Sequence, residues 1–148
     1  YGMGVYWAMN AAKNMKGKVE VLDLRTLLPW DHDLVFERAR AHGRTLVLTE
    51  EPDGPTFGRA IAGKIQEECF ESLDAPVKYL GSIDTPAIPL NSTLEQTMIP
   101  NAEKVGVVIE ELLAYWEKRI NKKCPLQTGI FCFKKACNYS AAALLDFL

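Results

Sequence analysis

The stretch Val21-Leu22-Asp23-Leu24-Arg25-Thr26-Leu27-Leu28-Pro29-Trp30-Asp31 constrains this chain more than any other. From Val19 to Leu24 the residues are apolar at both odd and even positions except for Glu20 and Asp23. A strand that is apolar on both faces belongs to a parallel sheet covered by helices on either side. Pro29 and Asp31 then open a helix, with Asp31 as its N-cap and Asp33 at the positive end of its dipole. Three structural statements therefore fall within a dozen residues: a buried strand, a short turn and a helix start.

The rest of the chain repeats this alternation. Val5, Ala8, Met9 and Ala12 recur at helical spacing, and Gly17 follows in a place suited to a left-handed cap. Leu34, Val35 and Ala39 give the second helix its inner face, and Gly43 stops it. Thr45 to Thr49 reads as a second strand, followed by a turn-rich loop from Glu50 to Thr56. Phe57, Ile61, Ile65 and Cys69 mark a third helix, and Val77 to Leu80 a third strand. The segment from Gly81 to Pro100, punctuated by Pro86, Pro89 and Pro100, is expected to be an ordered surface loop. Asn101 caps a last helix whose stripe is Val105, Val108, Ile109, Leu112, Leu113 and Trp116. Strands starting near 19, 45 and 77 with a helix in each gap give the rhythm of parallel strands joined by right-handed crossovers. The expected fold is therefore α/β, a three-layer α/β/α arrangement with a mostly parallel sheet. Residues 1–120 form the domain and residues 121–148 a tail of a different character.

Composition excludes several classes. The 148 residues carry a net charge of −2, which offers no electrostatic case for nucleic acid. That charge is uneven, with −5 over residues 1–120 and +3 over residues 121–148. No apolar run approaches the roughly 20 residues needed to span a bilayer. Cys69 reads as a buried apolar residue. Cys124, Cys132 and Cys137 lack zinc-site spacing.

The tail holds a strand-like Gly129-Ile130-Phe131-Cys132-Phe133 and a weakly helical Ala141 to Leu145. The opening Tyr1-Gly2-Met3-Gly4 runs straight into a helix, so the domain is expected to be N-terminally truncated.

Six ordered blocks carry a family resemblance: Tyr1 to Val5, Val21 to Asp31, Gly43 to Glu51, Gln66 to Phe70 with Leu73 to Val77, Asp84 to Pro86, and Ile99 to Asn101. Together they resemble the transketolase-type C-terminal domain of the beta subunit of thiamine-diphosphate-dependent 2-oxo acid dehydrogenases. The block around Cys69 is nearer to branched-chain members. The resemblance departs at Pro55-Thr56-Phe57-Gly58, where family members carry a Gly-Gly-Phe-Gly-type run, and the tail has no family counterpart.

The resemblance implies a five-stranded mixed sheet whose two opening strands are missing here. The second of them would lie between 19–24 and 45–49, and its loss would leave residues 1–120 poorly folded alone. It implies an enzyme that oxidatively decarboxylates a 2-oxo acid and passes the acyl group to a lipoyl-acyltransferase. Thiamine diphosphate and Mg would be bound in the full enzyme and neither by this fragment. The implied partners are an alpha subunit, a second beta subunit and the acyltransferase binding domain, with no nucleic acid and no membrane. The compartment would be the bacterial cytoplasm or the mitochondrial matrix.

No catalytic, cofactor-binding or metal-binding residue is expected in this chain. His32 and His42 read as helix-end histidines, Glu50-Glu51 as an interface or solvated loop, and Glu67-Glu68 and Glu110-Glu111 as solvent-facing pairs. Gly2-x-Gly4 and Gly54-x-x-x-Gly58 lack full phosphate-loop spacing. The expected subunit interface is formed by Trp30, Phe57, Asp84, Pro86 and Pro89, which combine apolar bulk with rigid turns. Two other readings stand beside this one. One is the C-terminal domain of a transketolase or deoxyxylulose phosphate synthase. The other is a stand-alone α/β small-molecule-binding module.

Overall fold

The computed structural model describes residues 1–116. The tail readings, including Cys124, Cys132 and Cys137, lie outside the described residues. In chain order the elements are α1 (Met3–Ala12), α2 (His32–His42), β1 (Leu46–Pro52), α3 (Phe57–Cys69), a 3₁₀ turn (Phe70–Ser72), β2 (Lys78–Ser82), α4 (Ser92–Met98) and α5 (Ala102–Leu113).

Capping chemistry sets the helix ends. The Asp31 carboxylate accepts from the Leu34 amide at 3.1 Å at the start of α2. At its other end Gly43 takes φ +66° and returns its N–H to the Ala39 carbonyl. A side chain there would be strained by the left-handed backbone and would also meet Asp74 Oδ2 at 3.0 Å. Asn101 caps α5 through the Lys104 amide at 2.8 Å. Gly17 does have a positive φ, but α1 ends at Ala12, so this glycine serves the turns after the helix rather than its cap.

β1 and β2 pair in parallel, Leu46 opposite Lys78 and Leu48 opposite Leu80. Side chains of β1 alternate between two layers. Val47 joins Val35, Ala39, Ile61, Ala62, Ile65 and Cys69 from α2 and α3. Leu46 and Leu48 pack on the other side, with Ala11 of α1 and Val105 and Ile109 of α5. The three-layer α/β/α architecture is thus present, with a thin central layer.

Two expectations need correction. Residues 19–24 form no hydrogen-bonded strand. Their facing pattern is nevertheless that of a strand: Val19 turns to the α1/α5 layer, and Leu22 and Leu24 to the α2/α3 layer. A strand is defined by its ladder, and among the described residues this segment takes part in none. The segment from 81 to 100 is also not wholly loop. Asn91 accepts from the Thr93 amide at 2.8 Å and starts the short helix α4. Lys104 Nζ then ties the end of α4 to α5 through the carbonyls of Thr97 and Ile99, each at 2.7 Å.

Candidate functional site

Two places in the described residues concentrate unusual chemistry. The first is where the C-terminal end of β1 meets the start of α3. An open helix N-terminus there would hold an anion. Thr56, at the N-cap, makes no side-chain capping bond. Glu51 fills the place instead: its Oε2 accepts from the Gly58 amide at 2.9 Å, from Thr49 Oγ1 at 3.4 Å and from the Tyr1 hydroxyl.

Burial works against the ionised form of Glu51, but the Tyr1 hydroxyl and the α3 amides outweigh it and hold its carboxyl below the ordinary 4.5. Burial and the neighbouring Glu51 push the Tyr1 phenol up to about 12. Around this carboxylate the backbone is crowded. A Cβ on Gly58 would lie 2.9 Å from the Tyr79 ring and 3.0 Å from Thr49. A Cβ on Gly81 would collide with the Glu51 carbonyl oxygen. Arg59 stacks over Tyr79 at 4.3 Å and pairs with Asp53 at the rim.

Glu50-Glu51, read from the sequence as an interface or solvated loop, divides in the structure: Glu50 is exposed, whereas Glu51 is half-buried and its Oε2 accepts three hydrogen bonds. Strand alternation separates the two, and three donors draw Glu51 inward. The same carboxylate tests the fit of thiamine diphosphate. A diphosphate brought to this helix end would meet a fixed negative charge. Among the described residues no group of three or more His, Cys, Asp and Glu is placed to hold a metal ion. The start of α3 does not fit the diphosphate, and no chemical step is assigned to it.

The second place is a cavity of about 300 Å³ in the central layer. Its edges are residues 18–22 and Leu24 on one side and residues 44–48 on the other. Val5, Ala8, Val105 and Ile109 form one face, and Val35, Ala39, Ile61 and Ile65 the other. It is a slot with apolar walls above and below. Cavity formation in a core costs about 24 cal/mol per Å³, which sets an upper bound of about 7 kcal/mol here. That is comparable to the whole stability of a domain, roughly 5–15 kcal/mol.

At the slot edge, Arg44 Nη1 donates to the Leu113 carbonyl at 3.0 Å. Its Nε is buried without a partner. At the same edge Glu20 accepts from His42 and lies 3.7 Å from Arg38, which ties residues 19–24 to α2.

The sequence-predicted residues are dispersed. Trp30 and Phe57 pack against the α2/α3 core, Trp30 edge-on to Phe36 at 5.7 Å. Asp84 and Pro86 are exposed and Pro89 is half-buried, in a loop that also presents Ile83, Ile88 and Leu90 to solvent. His32 and His42 sit at opposite ends of α2, on Asp33 and Glu20 respectively. Glu67, Glu68, Glu110 and Glu111 are exposed. Gly4 is pressed against Leu48, and nothing lies near Gly54, so neither glycine pair forms a phosphate cradle. Arg44 and Tyr1 lie inside two of the resemblance blocks, but residue patterns gave neither a role, because their partners Leu113 and Glu51 are distant in sequence.

A family model described as "Transketolase, C-terminal domain" matches residues 1–105. The chain belongs to this family. Among its relatives is the 2-oxoisovalerate dehydrogenase subunit beta of Bacillus subtilis, 34% identical over 118 residues, covering 78% of this chain and 36% of that protein. The mitochondrial 2-oxoisovalerate dehydrogenase subunit beta 2 of Arabidopsis thaliana is 38% identical over 104 residues, covering 70% of this chain and 28% of the relative. The pyruvate dehydrogenase E1 component subunit beta of Rhizobium meliloti is 32% identical over 108 residues, covering 71% and 23%. As a transketolase C-terminal domain, the chain spans only about a quarter to a third of the curated relatives it matches. No helix among the described residues is long and apolar enough to cross a membrane.

Proposed function

We propose that this transketolase C-terminal domain is the assembly and subunit-interface domain of a 2-oxo acid dehydrogenase beta subunit. The whole enzyme decarboxylates a 2-oxo acid on thiamine diphosphate and Mg and passes the acyl group to a lipoyl-acyltransferase. The cofactor is held by regions other than this domain. Partners are the alpha subunit, a second beta subunit and the acyltransferase's binding domain, in the bacterial cytoplasm or the mitochondrial matrix.

The observation that carries this reading is the sealed end of α3. Family relatives named as dehydrogenase beta subunits match most of this chain. The start of α3, where an anion would otherwise sit, is filled by the domain's own Glu51. With that helix end closed, the contribution proposed for the domain is packing. The exposed apolar loop holding Ile83, Ile88 and Leu90, with Asp84, Pro86 and Pro89 among them, supports a subunit contact there, and Trp30 and Phe57, partly buried against the α2/α3 core, are its further proposed members.

The test replaces the matched region of the Bacillus subtilis beta subunit with residues 1–116 and expresses it with its alpha subunit. The reading expects an assembled enzyme that decarboxylates 2-oxoisovalerate, weakened assembly on Leu90→Asp, and no turnover by the 148-residue chain alone. Turnover by that chain without partners would overturn it.

A further inference from the structure

We infer that Glu20, Arg38 and His42 form a pH-responsive tie, which fastens residues 19–24 to α2 and loosens as His42 gives up its proton. The inference stands apart from the assembly reading, since no partner subunit enters it.

Arg38 and His42 are four residues apart on α2, so they share one face of the helix. Both reach the same carboxylate. His42 Nε2 donates to Glu20 Oε2, and Arg38 Nε lies 3.7 Å from Glu20 Oε1. The bond spans 22 residues of sequence, so it joins two separate pieces of chain. All three side chains are between 41 and 48% exposed, so solvent can take and return the proton. The piece held by the tie touches both helix layers, through Val19 on one side and Leu22 and Leu24 on the other. Loosening it therefore loosens a place where the two layers meet.

Charge decides the strength of the tie. A neutral imidazole can donate one N–H to Glu20, but a protonated one makes a charge-assisted bond, roughly twice as strong. His42 also sits in the last turn of α2, where the carbonyl end of a helix attracts a cation. The hydrogen bond from His42, and after it the charge of Arg38, hold the Glu20 carboxyl below the ordinary 4.5. Its contribution is present above pH 4.5 and is lost as pH falls through the lower folded value. The other charged groups at this edge are Lys18 and Arg44, with Asp74 beside Gly43. On the α3 side of α2 it is Arg40 that reaches across, to the Glu68 carbonyl. Carboxylates, ammonium and guanidinium groups ordinarily keep their charge from about pH 5 to 8, and histidine is the side chain that does not. The tie is therefore strongest near the acid end of that range and weakest at the alkaline end.

A double-mutant cycle of Glu20→Gln and His42→Gln, read by urea denaturation of the 148-residue chain at pH 6 and pH 8, tests this. The coupling should be a factor of about two to five in the folding constant at pH 6, the range of exposed ion pairs, and should fall towards one at pH 8. His42→Lys, which keeps a cation, should retain its coupling to Glu20 at pH 8. His32→Gln, at the other end of α2, should leave the pH dependence as it is. Equal coupling of Glu20 and His42 at the two pH values, or none at either, overturns the inference. A second measurement needs no variant to fold: carbethoxylation of both histidines of the unsubstituted chain at pH 6 by diethyl pyrocarbonate, located by mass spectrometry. His32 meets Asp33 through Nδ1, which leaves its Nε2 open, whereas His42 Nε2 is held by Glu20. His42 should therefore react more slowly than His32, and equal or faster reaction at His42 overturns the inference as well.

Discussion

The Tyr1 hydroxyl donates to the Glu51 carboxylate across fifty residues of sequence, and through that bond the start of α1, the end of β1 and the start of α3 share one charge. Both partners titrate as a consequence. The folded-state pKa of Glu51 lies below 4.5, so its contribution to stability is complete above that pH and disappears as pH falls through the lower folded value. Tyr1 is raised from 10.0 to about 12, so its contribution is complete below pH 10 and disappears as pH climbs to about 12. Glu51→Gln should cost about 1–3 kcal/mol at neutral pH and flatten the acid limb of stability. Chemical denaturation of the 148-residue chain across pH measures both limbs.

Gly81 is sealed by the backbone of Glu51. A Cβ there cannot be absorbed by a rotamer change, since the obstacle is a carbonyl oxygen. Gly81→Ala should cost about 1–3 kcal/mol. Gly63, in α3 with open space around it, is the control. Gly63→Ala should stabilise by about 0.4–1 kcal/mol through helix propensity and a less disordered unfolded chain. Midpoints of urea denaturation should move in opposite directions for the two variants.

Asn101 links α4 to α5. Its side chain accepts from the Lys104 amide, and Lys104 reaches back to the carbonyls of Thr97 and Ile99. Asn101→Ala should cost about 1 kcal/mol, and Asn101→Asp should retain most of the cap. A thermal shift separates the two variants.

Much of the architecture could be read from residue order. Asp31, Gly43 and Asn101 mark helix boundaries by local chemistry, and each acts through its own side chain or backbone conformation as its residue type dictates. Residues 19–24 show where such reasoning stops. Their apolar pattern describes burial, and burial is what they have, but a ladder also needs a neighbour that the pattern does not supply. Asn91 was passed over because three nearby prolines dominate that stretch, yet it starts α4. Glu51 and Arg44 were illegible for another reason: their partners, Tyr1 and Leu113, come from distant parts of the chain, and no local period encodes such contacts.

The central claim is that Glu51 closes the start of α3 and that this domain contributes packing to an assembled 2-oxo acid dehydrogenase. Decarboxylation of 2-oxoisovalerate, measured for the Bacillus subtilis enzyme carrying residues 1–116 in place of its matched region and for the 148-residue chain by itself, tests it most directly. The account predicts an assembled, active enzyme in the first case and no turnover in the second. Turnover by the 148-residue chain without partners would contradict it.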